Sequence, residues 1–128
     1  MLRVFLAALL CGPAAAQSPK LDILFVGAHP DDDSTATATL ARYAAEGKRI
    51  GVITATRGEQ GGNLIGPEQG AALGLLRESE ERAALSLLGI PIVHYLEKLD
   101  SGFTTSARVS ERNWGRADTL GRLVRLIR

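Results

Sequence analysis

Hydrophobic positions in this chain fall into short blocks, and the period of each block predicts its element. Leu21 to Gly27 is apolar at nearly every position after Asp22, the pattern of a strand buried on both faces. Ser34 to Glu46 puts Ala36, Leu40, Tyr43, Ala44 and Gly47 on one helical face, with Gly47 as the stop. Arg49 to Ala55 is β-branched and mostly apolar, a second strand. Ala71 to Leu88 reads as a second helix, ended by Gly89 and Pro91. Its apolar surface is expected from Leu75, Leu76, Ala83, Leu87 and Leu88. The charged run of Arg77, Glu78, Glu80, Glu81 and Arg82 marks its other face, ordinarily a solvated one. Ile92 to Leu96 is a third strand. Thr104 to Gly115 is polar, without a period, and is expected to be irregular, with Trp114 a lid or a packing anchor. Ala117 to Arg128 returns to helical spacing through Leu120, Leu123, Val124 and Ile127. Strands alternating with helices predict parallel, right-handed βαβ units and an α/β fold.

The first twenty residues follow another logic. Met1-Leu2-Arg3 is a basic start, Val4 to Leu10 an apolar core, and Ala14-Ala15-Ala16 a small-residue cleavage site. This is the composition of a secretory signal peptide over residues 1–16, too short for a mature membrane anchor. A secreted or periplasmic protein is therefore expected. Cleavage would remove the one cysteine and Arg3, bringing the 15 basic residues to 14, level with the 14 acidic ones. A neutral mature chain argues against non-specific binding to nucleic acid or to anionic membranes. With no thiol left, metal chemistry is the main source of reactivity.

That chemistry is concentrated directly after the first strand. His29, Pro30, Asp31, Asp32 and Asp33 follow without a spacer. In open α/β sheets, ligands bind at the C-terminal ends of strands. An imidazole and a carboxylate three positions apart, His29 and Asp32, can share one divalent metal, leaving Asp31 free to act as a base toward water. Pro30 biases His29 toward an extended backbone. The alternative is that the aspartates only cap the following helix. One carboxylate suffices for a cap, whereas three beside a histidine repel one another unless a cation joins them.

Other candidates are weaker by themselves. Thr56 to Gly70 is glycine-rich and leaves the second strand on the same rim as His29. It carries Glu59 and Asn63 but lacks the Lys-Ser/Thr that follows a phosphate-cradling loop. His94 lies inside the third strand, where a lone histidine is more often packed than a ligand. Asp100 of DSG leaves the end of that strand, in residues that are also ordinary turn chemistry.

AHPDDD (28–33) resembles the AHPDDE signature of the PIG-L/LmbE-like N-acetylglucosamine de-N-acetylases. The likeness continues through TRGEQGGN (56–63), the R-x-x-E of Arg77 and Glu80 ahead of LLG, and DSGF (100–103), covering nearly all of the chain after residue 20. Asp33 departs from the pattern, where the family usually has Glu. The resemblance implies a Rossmann-like three-layer α/β/α domain from residue 17 onward. It also implies a zinc-dependent hydrolase (another divalent metal is possible) that removes the N-acetyl group from an N-acetylglucosamine-type sugar conjugate. His29 and Asp32 would be metal ligands, Asp31 the catalytic base, and Arg77 and Asp100 substrate-binding residues. In that family a later histidine-rich segment supplies the third ligand. This chain has no histidine after His94, so residues 17–128 are expected to be the N-terminal half of a longer enzyme. The rival expectation, from another functional class, is a non-catalytic carbohydrate- or partner-binding domain that kept the pocket.

Overall fold

The computed structural model describes residues 20–128, so the expected signal peptide lies outside the described residues. Three strands, β1 (Ile23–Gly27), β2 (Ile50–Thr56) and β3 (Ile92–Lys98), form one parallel sheet in the order β1-β2-β3. Helix α1 (Thr37–Ala45) connects the first two strands and α2 (Gly70–Leu87) the last two, with α3 (Ala107–Trp114) and α4 (Arg116–Ile127) following. Ile23 pairs with Ile50 and Gly27 with Thr54, while Ile53 faces His94 across the other side of β2. Because all three strands run the same way, the segments leaving them share one rim. No helix among the described residues is long and apolar enough to cross a membrane.

The core is divided by the pleat of β2, which is buried at every position. Ile50 and Val52 point to one side and pack with Leu40 of α1, Leu85 of α2, Ile90 and Val93. Ile53 and Ala55 point to the other side and pack with Leu96, Trp114 and α4 residues Leu123 and Leu126. Alternate side chains therefore hold helices on both faces, which makes the three layers. Each fully buried Val, Leu or Ile contributes about 1.5–3 kcal/mol relative to its exposed state.

The structure corrects several expectations. Thr104 to Gly115 is not irregular throughout: residues 107–114 form α3, a polar helix with no buried residue, which explains its missing apolar period. Trp114 is the anchor rather than a lid. It packs on the second core cluster and its indole N–H donates to the Leu99 carbonyl at 3.1 Å. Among the described residues β1 is the outer strand of the sheet, and Val26 on it is 50% exposed, so one face is uncovered there. The largest correction concerns α2. Leu75 and Leu87 are exposed, at 65% and 89%, while Leu73, Gly74, Glu81 and Leu85 are buried. The helix is turned so that a carboxylate faces the sheet, because the sheet offers that carboxylate two hydroxyl groups. Thr54 Oγ1 donates to Glu81 Oε1 at 2.7 Å and the Tyr95 hydroxyl donates to Glu81 Oε2. Burial pushes the Glu81 carboxyl above its ordinary value, against those two hydrogen bonds.

Candidate active site

The turn after β1 is built by folding Asp32 back on the strand. Asp32 Oδ2 accepts the backbone N–H groups of Ala28, at 2.6 Å, and His29, at 3.0 Å. Gly27 permits this reversal, because a Cβ there would stand 3.1 Å from the Asp32 Cβ. The following residues, Asp32–Thr35, form a single 3-10 turn. Neither this turn nor α1 has a side-chain cap hydrogen bond, so simple capping does not account for the aspartates.

β2 supports the turn from beside it. The Thr56 N–H and hydroxyl both donate to the Ala28 carbonyl, each at 2.9 Å. The glycine-rich loop then departs through Gly58, whose φ of +65° suits a residue without Cβ. Arg77 of α2 reaches this point. Its Nη1 donates to the Gly58 carbonyl at 2.9 Å and its Nη2 pairs with Asp31 Oδ1 at 3.1 Å. Arg77 is thus a strut between two rim loops, not a solvated charge. Pro30, Asp31, Arg77, Glu80, Glu81 and Ala84 line an open cleft of about 200 Å³ beside it.

The segment after β3 closes the opposite side. Asp100 Oδ1 lies 3.3 Å from His29 Nε2, and Asp100 Oδ2 accepts the Gln60 N–H at 3.1 Å. The Asp100 side chain is 9% exposed. Its backbone N–H donates to Glu59 Oε1 at 2.9 Å. Arg57 braces the same rim, spanning Glu78 of α2 and Glu97 at the end of β3 and lying over the Tyr95 ring. Asn63 takes no part, since its amide is spent on its own loop, with Ile65, Gly66 and Glu68.

His29, Asp31, Asp32, Arg77 and Asp100, the residues singled out by sequence, are therefore all on this rim. His29, Asp31 and Asp32 each offer one donor atom, and these atoms lie within 4.8 Å of one another. Imidazole nitrogen and carboxylate oxygens are the donor set of zinc and related divalent ions. Burial pushes the Asp33 carboxyl above its ordinary value, and the Asp31 and Asp32 charges push the same way. Asp31 thus stands with the expected ligands as well as with Arg77. His94 stands apart, exposed on β3 and outside this group. Sequence reasoning misses Arg57 and has Glu59, with Asn63, as a polar candidate of a loop that walls the site. The available signal for both is their position after β2, on the rim of His29.

Residues 24–128 match the family model described as PIG-L: GlcNAc-PI de-N-acetylase. The chain belongs to the PIG-L family. Among curated PIG-L relatives, the 1D-myo-inositol 2-acetamido-2-deoxy-alpha-D-glucopyranoside deacetylases of Mycobacterium bovis and Mycobacterium tuberculosis are 38% identical, over 88% of this chain and 41% of theirs. The chain thus spans about 41% of the length of these relatives. A conserved protein of Thermus thermophilus is 35% identical, with a TM-score of 0.52 over 69% of this chain and 37% of that one. An N,N'-diacetylchitobiose deacetylase from Pyrococcus horikoshii shares the fold at 24% identity, with a TM-score of 0.57 over 70% of this chain and 34% of that one. So does a 4-carboxy-2-hydroxymuconate hydratase from Pseudomonas putida, at 24% identity and a TM-score of 0.56, over 73% and 40%. Proteins that share this fold are thus named for different reactions, and the reaction has to be argued from the site.

Proposed function

We propose that this PIG-L protein serves as a metal-dependent deacetylase, hydrolysing the acetamide of an N-acetylglucosamine-type sugar conjugate. The observation that carries the reading is the convergence of His29, Asp31 and Asp32 at the end of β1, with donor atoms within 4.8 Å. The relatives at 38% identity support amide hydrolysis over hydration.

In this reading His29 and Asp32 hold the metal, and zinc suits the nitrogen and oxygen donors. The bound ion would supply Lewis acidity, polarising the acetamide carbonyl and making water more acidic. Asp31 takes the proton of the attacking water as general base and passes it to the leaving amine. Arg77 fixes the Asp31 carboxylate on one side and, with Asp100 opposite, borders the space for the sugar. Carboxylate oxygens accept hydroxyl hydrogen bonds, and the guanidinium donates them. Export through a signal peptide at residues 1–16 would place the reaction outside the cytoplasm.

The test separates metal from base. Zinc content is measured on this chain, and acetate release from N-acetylglucosaminyl-inositol and N-acetylglucosamine conjugates on the complete gene product. His29→Ala should lose most bound zinc. Asp31→Asn should keep zinc and lose turnover. Equal loss of zinc in both variants would mean that the roles are wrongly assigned.

A further inference from the structure

We propose that Glu59 is a positioning residue: acting through Asp100, it holds the His29 imidazole in the tautomer that leaves Nδ1 free. The consequence for metal binding rests on the ligand role proposed above for His29, whereas the positioning itself does not.

Hydrogen-bond direction sets the tautomer. Asp100 Oδ1 lies 3.3 Å from His29 Nε2. An ionised carboxylate can only accept, so the ring proton belongs on Nε2 when the imidazole is neutral. Nδ1 then keeps its lone pair, on the ring edge that faces Asp32 Oδ2 at 4.0 Å. A carboxylate behind a histidine ligand fixes the ring's orientation and raises its basicity.

Asp100 can do this only if it is itself held, and it follows a strand end on a segment without regular structure. The loop after β2 grips it from two sides. The Gln60 N–H donates to Asp100 Oδ2 at 3.1 Å, and Glu59 Oε1 accepts the Asp100 N–H at 2.9 Å. Glu59 has little freedom of its own. α2 passes so close at Gly74 that a Cβ there would stand 3.3 Å from the Glu59 Cβ.

One further feature sets Glu59 apart. Its second oxygen, Oε2, is buried with no hydrogen-bond partner, the one such side-chain atom among the described residues. An unpartnered buried oxygen carries a desolvation penalty.

The tautomer is read directly by two-bond proton–nitrogen correlation spectra of the metal-free chain, at a pH where the imidazole is neutral. The sequence has two histidines, so His94→Asn assigns the signals. Wild-type His29 should show a single Nε2–H form with a slowly exchanging ring proton. Glu59→Gln, which keeps an acceptor oxygen for the Asp100 N–H, should preserve it. Glu59→Leu should give the averaged, fast-exchanging signals of a free imidazole, and its zinc Kd should rise about tenfold, the low end of the usual outer-shell effect. A Glu59→Leu variant with the wild-type tautomer and a zinc Kd within about twofold of wild type would overturn the proposal. If Glu59→Leu does not fold, Glu59→Ala decides: loss of the Nε2–H form supports the proposal, and its retention refutes it. A chain whose tautomer responds as expected but which binds no zinc breaks the metal reading alone.

Discussion

Two clusters of acidic and hydrogen-bonding side chains lie within about one helix turn of each other along α2, and they are built to opposite ends. Glu81 faces the sheet interior, where Thr54 and Tyr95 occupy both its oxygens, and it is 4% exposed. Arg77, four residues earlier, faces the rim, where it braces the Asp31 carboxylate, itself 73% exposed. Although Glu81 borders the cleft, its cluster is spent, with each carboxylate oxygen met by a fixed hydroxyl. The rim cluster is open: Asp31 retains acceptor capacity toward the cleft, and Asp32 keeps one oxygen that takes no hydrogen bond. A carboxylate consumed by its neighbours stabilises one arrangement, while one held in place with lone pairs unspent is ready for a ligand. Variants should therefore separate into two groups, one losing chemistry without stability and the other the reverse.

The largest effect is expected at the open cluster. Asp31→Asn in the complete gene product should lower kcat by roughly 10²–10⁴-fold, the usual contribution of a general base. Its urea midpoint should stay close to wild type, because Asp31 lies at the surface with one ion pair, and surface pairs contribute about 0–1 kcal/mol. Unfolding at markedly lower urea would place Asp31 among the structural carboxylates and erase the contrast.

The reverse result is expected at Glu81. Glu81→Ala leaves two buried hydroxyl groups without their acceptor and opens a void, together costing about 2–4 kcal/mol. Zinc affinity should be unchanged, because Glu81 touches neither His29 nor Asp32 in the structure. Chemical denaturation and zinc competition on the same preparation check both halves. A loss of zinc without a loss of stability would show that the two clusters act as one.

Gly58 belongs to the rim and should show a smaller effect, on stability and on turnover alike. Its φ of +65° strains any L side chain, and its carbonyl receives Arg77. Gly58→Ala should cost about 1–2 kcal/mol. The new Cβ would stand 2.1 Å from Arg77 Nη1, so the guanidinium must move, which loosens its grip on Asp31. Wild-type stability and turnover together in this variant would remove Arg77 from its bracing role.

The same contrast decides what is legible in the sequence. The strands and the metal-type cluster can be read directly, because an unbroken apolar run and a histidine crowded by aspartates need no tertiary information. α3 cannot: its Ser, Glu, Arg and Asn positions have no apolar stripe, and it is fixed by Trp114 at its end. The face of α2 is misread for a related reason. The leucines at 75, 76 and 87 outweigh its other positions in a hydropathy pattern. The buried set, Leu73, Glu81 and Leu85, contains a carboxylate whose partners lie on strands. The i,i+4 ladder of 73, 77, 81 and 85 is the available signal, since a glutamate and an arginine within an otherwise apolar ladder require partners. Asp100 illustrates the limit. Its turn chemistry is visible, but its approach to His29 joins residues 71 positions apart, at the ends of two strands with β2 between them, and is a tertiary fact.

The smallest expected effect is a pH dependence, and it isolates the closed cluster. Burial raises the Glu81 carboxyl above its ordinary value, with hydrogen bonds from Tyr95 and Thr54 and the charge of Arg82 opposing and Asp33 adding to the rise. Burial and the glutamate also raise the Tyr95 hydroxyl, so it stays protonated across the working range. A carboxyl whose folded value lies above its unfolded one binds more protons in the folded state. Its contribution is fully present below the unfolded value and is lost as pH rises through the folded one. Glu78 works in the other direction: burial raises its carboxyl, but Arg57 and Arg82 outweigh this and hold it low. The total stability curve therefore mixes opposite trends, and the Glu81 part is seen only by difference. Glu81→Gln supplies that difference. The amide oxygen can accept from Thr54 and the amide N–H can donate to the Tyr95 oxygen, so the cluster stays satisfied without a titrating group. Wild type should lose ground to Glu81→Gln, measured as the difference in urea unfolding free energy, as pH is raised from the ordinary glutamate range toward neutrality. A difference that stays flat would mean that the interior carboxyl titrates like a solvated one, and that Glu81 belongs with the open cluster after all.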